Sequence, residues 1–432
     1  MKKKSIRLIT LGCSKNLVDS EKLLGQLPAH AFNLEHEGSG SADIVIVNTC
    51  GFIQDAKEES IDTILELVEA RKAGEVGQVL VTGCLSQRYM EELKMEIPEV
   101  DAWFGVHEPG DIVEYLKVNH HDKQDARLLS TPSHFAYLKI AEGCDRTCSF
   151  CAIPMIRGSY VSVAIEELVS EAEMLSAKGV KELIVIAQDI SYYGVDISGK
   201  PMLAELLRAL CNIDGIEWIR LHYAYPNHFS DETIRLMASE PKICKYLDIP
   251  LQHINDDLLK SMRRGHNREN IFALLSALRN QIPDLALRTT MMVGYPGETR
   301  EMFQELMDFV AEVRFDRLGV FTYSPEEGTR AYELGDPVAE ELKKERARDI
   351  MELQESISLE INQSKVGKTF KVLIDREEVD YFVGRTEYDS PEVDNEVLIK
   401  KEGPLVPGQF ARVLVTAADA FELFATWDGD SL

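Results

Sequence analysis

Glu142-Gly143-Cys144-Asp145-Arg146-Thr147-Cys148-Ser149-Phe150-Cys151 is the stretch on which the reading of this chain turns. It follows the apolar run Phe135 to Ile140, so three cysteines sit on a loop at the end of a strand. Downstream, five more strand-like runs alternate with helical patterns: Glu182 to Ala187, Trp218 to His222, Tyr246 to Ile249, Leu287 to Val293 and Leu318 to Thr322. Strands separated by helices pair in parallel, because each helical crossover returns the chain to the same end of the sheet. Six such units predict a partial (β/α) barrel over residues 130–335, shorter than the eight-unit form, with site residues just after the strands.

Working outward, residues 1–115 repeat a smaller pattern three times, an apolar run ending in a polar turn that carries a cysteine. The runs are Ile6 to Leu11 into Gly12-Cys13, Ile44 to Val47 into Asn48-Thr49-Cys50, and Val79 to Val81 into Thr82-Gly83-Cys84. Between the second and third, Ile61, Ile64, Leu65 and Val68 form a helical stripe, so this region is also expected to be α/β with a parallel sheet. All three cysteines then emerge at its carboxyl edge, where open α/β sheets place ligands. The polar stretch Lys117 to His134 has a linker's composition. Residues 336–364, rich in Glu, Lys, Arg and Leu, read as a connecting helix. In 365–432, alternating runs at Thr369 to Ile374, Glu396 to Ile399, Phe410 to Val415 and Glu422 to Ala425 predict a small antiparallel β-barrel.

The bulk numbers agree with several domains: 432 residues, 45% apolar, with no run of 18 apolar residues. The start, Met1-Lys2-Lys3-Lys4 before Ile6 to Leu11, reads as a first strand rather than a signal peptide, so the cytoplasm is the expected compartment, with no membrane association. Thiols stay reduced there, which makes the eight cysteines metal ligands, catalytic groups or core residues rather than disulfides. The net charge of −26 argues against a nucleic-acid surface and favours a basic partner or simple solubility.

Three close thiolates in C-x-x-x-C-x-x-C can wrap one corner of a four-iron cluster and leave one iron open. Zinc is the competing metal, but structural zinc takes four ligands and no second cysteine pair or spaced histidine follows. Cys13, Cys50 and Cys84 are 37 and 34 residues apart, so their argument is the shared post-strand context, with burial in a core as the alternative. Cys211 and Cys244 have no partners at useful spacing and read as structural.

With its aromatic before the last cysteine, the 144–151 loop resembles the radical-SAM enzymes, whose open iron chelates S-adenosylmethionine (SAM) and reduces it to a 5'-deoxyadenosyl radical. An N-terminal domain with three cysteines, a radical-SAM core and a small C-terminal barrel is similar, over the whole chain, to the methylthiotransferase family, whose last domain is the TRAM module. The resemblance implies two 4Fe-4S clusters, one on Cys144, Cys148 and Cys151 and an auxiliary one on Cys13, Cys50 and Cys84. It implies two SAM consumed per insertion of sulfur and methyl at an unactivated C–H bond, and chemistry carried by SAM and the clusters rather than by a catalytic side chain. It also puts the loop Gly294-Tyr295-Pro296-Gly297-Glu298 beside SAM. Gln188, Asp189, Gln252, His253 and Arg288, at the barrel mouth, are candidate SAM contacts, and Phe150 packs on cluster, adenine or core. Arg157-Gly158 matches the family, whereas its usual Arg-Pro or Arg-Ser a few residues on is Val163-Ala164 here.

Two runs resemble the branch that modifies an aspartate of small-subunit ribosomal protein S-twelve: Leu11-Gly12-Cys13-Ser14-Lys15-Asn16-Leu17-Val18-Asp19-Ser20-Glu21 and Gly384-Arg385-Thr386-Glu387-Tyr388-Asp389-Ser390-Pro391-Glu392-Val393-Asp394. From Val366 to Leu432, seven Lys plus Arg stand against fourteen Asp plus Glu, a net of −7 that suits a basic ribosomal protein better than phosphates. An electron donor such as flavodoxin or ferredoxin is implied. The alternatives are a methylthiotransferase acting on adenosine of transfer RNA and a non-catalytic iron–sulfur redox sensor.

Overall fold

The structure, a computed structural model, describes residues 3–117, 127–227 and 229–431. In the N-terminal part, β1 (Lys4–Thr10), β2 (Phe32–His36), β3 (Ala42–Thr49), β4 (Val76–Gly83) and β5 (Ala102–Trp103) form one parallel sheet in the order β2-β1-β3-β4-β5. Its central strands are apolar on both faces, because helices cover both. Val45, Val47, Val79 and Val81 pack under the helix Gln54–Lys72, while Ile44, Ile46, Leu80, Ile6 and Leu8 pack under the helix Ser14–Gly25. The expected stripe on Gln54–Lys72 needs one correction: Leu67 is buried, and Leu65 is 44% exposed, pointing off the sheet.

The expected linker lies partly outside the described residues. Its far end is no linker at all, since Arg127 is fully buried, bonded to Glu21 at 2.7 Å, to Glu171 at 2.9 Å and to the Tyr137 carbonyl at 2.6 Å. The central part opens with β6 (Phe135–Lys139), followed by a two-stranded ribbon of β7 (Ala141–Glu142) and β8 (Val161–Ser162). Next come β9 (Glu182–Ile186), β10 (Trp218–Leu221), β11 (Ile243–Asp248), β12 (Ala286–Val293) and β13 (Arg317–Thr322). With β6 they make an open six-stranded sheet, β13-β12-β11-β10-β9-β6, in which every pair is parallel. One face packs on helices in the largest core. The other face carries Phe135, Tyr137, Ile184 and Ile186, against which Val18 of the first helix packs.

The helix Glu340–Gln363 leads to β14 (Thr369–Glu377), β15 (Tyr381–Thr386), β16 (Glu396–Lys400), β17 (Phe410–Ala418) and β18 (Glu422–Ser431). They close a barrel in the order β14-β15-β16-β18-β17, antiparallel except for the parallel pair β16 and β18. This barrel docks on the central sheet. Trp218 meets Phe410 edge-on at 4.8 Å, and Cys244, fully buried, lies in the same apolar patch with Leu373. Around the patch, Glu182 binds Arg220 at 2.7 Å and Arg385 at 2.8 Å, and Asp375 binds Arg385 at 2.7 Å and His134 at 2.8 Å. Arg317 pairs with Asp389, and His222 shares a 2.8 Å hydrogen bond with Ser390. Part of the acidity of residues 366–432 is therefore spent inside this interface rather than displayed to a partner. Among the described residues no helix is long and apolar enough to cross a membrane.

Candidate metal centres

β1, β3 and β4 are neighbours that end at one edge, so Cys13, Cys50 and Cys84 arrive there together. The approach is tight. Gly12 has φ +93°, and a Cβ on it would stand 2.7 Å from Cys50 Cβ and 2.9 Å from its Sγ. Cys13 caps the helix Ser14–Gly25 and Cys84 opens the helix Cys84–Glu96, where free N–H groups and the helix dipole favour thiolates. Ser60 Oγ fixes Cys50, accepting its N–H and donating to its carbonyl, both at 3.0 Å. Burial raises the Cys50 thiol and pushes Cys84 up to about 12, and the neighbouring thiols add to both. Cys50 and Cys84 resist ionising unaided. A cationic iron–sulfur group supplies the missing positive charge, so the donor set fits it.

The second set lies at the end of β6, around a cavity of about 290 Å³ lined by Cys144, Cys148, Cys151, Met155, Gly328 and Arg330. Gly143, at φ +74°, lets the loop pass within 2.1 Å (Cβ position) of the Ser159 carbonyl. Ser149 pins the loop to the barrel, its N–H donating to Met262 O at 3.0 Å and its hydroxyl meeting Tyr295 Oη at 2.9 Å. Arg264 Nη1 reaches Cys148 Sγ at 3.4 Å, and Arg264 and Arg146 both stack on the Tyr225 ring. Burial pushes Cys144 to about 11 and Cys151 to about 12, with Cys148 adding in each case. This donor set fits a cluster by the same argument. Among the described residues, no three His, Cys, Asp or Glu side chains are already placed around a single metal ion.

Between the two sets runs a buried polar network that joins the two folds. Arg157 donates to Asn16 Oδ1 at 2.5 Å and pairs with Asp19 at 3.0 Å and Glu142 at 2.9 Å, while Lys139 pairs with the same two carboxylates. Asn16 in turn holds the Leu11 and Thr49 carbonyls, at 2.8 and 3.1 Å, and takes the Cys84 thiol at 3.6 Å. Sequence reasoning quoted Asp19 and Glu142 only within longer runs and gave neither them nor Lys139 a role. The available signal was a lysine ending an otherwise apolar strand.

The remaining expected contacts are placed as follows. Gln188 Nε2 lies 3.5 Å from Glu142 and its Oε1 is buried without a partner, so it retains an acceptor for a ligand. Gln252 holds a left-handed backbone (φ 74°) while bridging to β12. Asp189 is taken by Arg146 at 2.8 Å, and Arg288 by Asp248 at 3.0 Å and Asp394 at 3.3 Å. His253 is fully buried 3.7 Å from Glu298. Gly294 makes a tight turn in which its N–H donates to Glu298, and a Cβ there would strike Lys343 at 2.4 Å. Phe150 packs in an apolar cluster with Tyr295, Tyr323 and Leu258. Cys211 ends a helix, half-buried, on the far side of the main core.

Comparison with known proteins finds three families in register with these parts. The uncharacterized protein family UPF0004 matches residues 5–105, the Radical SAM superfamily 138–310 and the TRAM domain 366–427. A protein of Christiangramia forsetii named ribosomal protein uS12 methylthiotransferase RimO is 55% identical over 98% of this chain and 94% of its own. The protein of the same name from Flavobacterium psychrophilum is 54% identical over 98% of both chains. Among solved structures, the radical S-adenosylmethionine methyltransferase TsrM from Kitasatospora setae is 14% identical with a TM-score of 0.54, over 75% of this chain and 74% of that one. The cobalamin-dependent radical enzyme OxsB gives 13% and 0.53, over 82% and 56%. At such identity these two likenesses concern the fold alone.

Proposed function

The chain belongs to the RimO family of radical-SAM methylthiotransferases, and from that premise we propose that it inserts a methylthio group at the β-carbon of an aspartate in ribosomal protein uS12. The observation that carries the reading is the pair of thiol sets at the strand ends of two sheets, linked by Arg157, Asn16, Asp19 and Glu142. Cys144, Cys148 and Cys151 hold one 4Fe-4S cluster, and Cys13, Cys50 and Cys84 hold a second. When bound, the first supplies the one-electron reduction of SAM and the second a separate place for sulfur. The chain's own share is positioning: Ser149 and Arg264 fix the first loop, Ser60 and Asn16 fix the second set, and Gln188 offers its free acceptor. A flavodoxin or ferredoxin delivers the electron.

The relatives reported above are named for uS12, which favours the ribosomal protein over adenosine of transfer RNA. Mass spectrometry of uS12 from a deletion strain decides the substrate. Loss of a methylthio adduct is expected, and an unchanged adduct overturns the assignment. Iron counting on two triple-Ala variants tests the clusters, with about four irons lost from each.

A further inference from the structure

The region between the two thiol sets is rich in charge, and nearly all of it is matched. Lys139 and Arg157 share Asp19 and Glu142, Arg146 holds Asp189, and Arg288 holds Asp248 and Asp394. Lys15 differs. It lies in the first turn of the helix Ser14–Gly25, two residues after Cys13, and is only 7% exposed. Among the described residues no carboxylate pairs with it; its Nζ stands 3.0 Å from the centre of the Tyr223 ring. Tyr223 follows β10 in the left-handed region (φ 64°), an unusual backbone for an aromatic residue. It is held there by its N–H donating to Asp248 at 3.2 Å and its carbonyl accepting from Ile190 at 3.1 Å.

A lysine removed from water without a counter-ion is costly, and a cation–π contact repays only part of the cost. Of the acids on neighbouring elements, Asp19, Glu142 and Asp248 are paired with other cations, and Glu392, which is exposed, accepts from Tyr137 Oη at 3.3 Å and forms no ion pair with Lys15. The anion that completes this site therefore arrives with a ligand. Lys15 belongs to the edge that carries Cys13, not to the 144–151 loop.

We propose that Lys15 is the specificity-determining contact for the substrate side chain: its ammonium receives the carboxylate of the aspartate to be modified, with Tyr223 supporting it from the other side. The inference rests on the protein substrate argued above. A carboxylate held by Lys15 brings the adjacent β-carbon to the edge where sulfur is delivered, and it rejects Asn, which leaves the buried charge unmatched.

The test is a binding titration of the full-length, anaerobically reconstituted protein. The probes are a peptide spanning the modified loop of uS12 and the same peptide with Asn for that Asp. Wild type is expected to prefer the Asp peptide by about 10- to 100-fold, as for a charged hydrogen bond. Lys15→Met is expected to bind both peptides with the weaker affinity, and Lys15→Arg to keep most of the preference, each at wild-type iron content. Lys15→Gln carries the same expectation as Met should the Met variant lose iron. Full preference retained in Lys15→Met and Lys15→Gln overturns the role of Lys15 while leaving the substrate standing; weakened SAM binding with that preference intact reassigns the lysine to SAM and overturns it equally. A wild type with no preference overturns the aspartate reading itself.

Discussion

At Gly12 the lack of a side chain is what admits Cys50 to the sheet edge, since a methyl group there would overlap both Cβ and Sγ of that cysteine. Gly12→Ala is therefore expected to lose iron from the N-terminal set alone, about four of the total, while the 144–151 set stays loaded. Iron and sulfide analysis checks this, and an undiminished total would show that the Cys50 position is not critical. This glycine was legible in the sequence as a turn before a cysteine; Cys144, Cys148 and Cys151 stood out by spacing, whereas Cys13, Cys50 and Cys84 needed their repeated context together with the family resemblance. Asn16, Lys139 and Arg264 were not legible in these roles. Their partners, Cys84, Asp19 and Cys148, lie 68, 120 and 116 positions away, and no local pattern encodes contacts at such separations. Arg288 shows the converse: its position in the strand pattern was visible, but not the two carboxylates that occupy it.

Among the elements, the strap from Arg385 to Asp394 latches the small barrel to the central sheet through buried ion pairs. Burial raises the Asp389 carboxyl, but Arg317 and Lys365 more than offset it, leaving it below its ordinary value; Glu182 and Asp375 are depressed in the same way, by Arg385 above all. Depressed carboxyls contribute stability that is complete above their unfolded pKa of about 4 and lost as pH falls through the folded values. The latch is thus expected to hold at neutral pH and loosen below about pH 4, seen as new proteolytic cuts in 366–431; cuts that do not depend on pH would refute it. Removing one partner should act at any pH. Arg317→Ala leaves Asp389 buried without its main counter-charge and is expected to cost about 3–5 kcal/mol in urea unfolding. The six strands of the central sheet were legible because each is a mostly apolar run alternating with a helical pattern. β2, β5, β7, β8 and β15 were missed: β5, β7 and β8 have two residues each, β2 is a short edge strand, and in β15 Gly384, Arg385 and Thr386 are buried positions that break the alternation.

Across the whole molecule, the two folds are riveted at a second place, where Glu326 receives Lys57 at 3.0 Å and Arg88 at 2.7 Å with its side chain 3% exposed. Glu326→Ala strands two cations and frees one side of the junction without touching a thiol. The expected result is full iron content but poor coupling, with more 5'-deoxyadenosine formed per methylthio product; an unaltered ratio would mean that Arg157 and its partners hold the junction alone. That the two thiol-bearing folds are joined through Arg157 and Glu326 was not legible in the sequence, because relative domain placement depends on such distant pairs. One topological detail bears on timing. β16 and β17 are adjacent in sequence but do not pair; each is bonded to β18, the last strand to be made. Until Glu422–Ser431 has left the ribosome, the nascent barrel is an open sheet with two bare edges. The barrel can close only after that strand has been made, so its closure is a late folding event, set by the slow pairing of a strand with a partner more than twenty residues upstream.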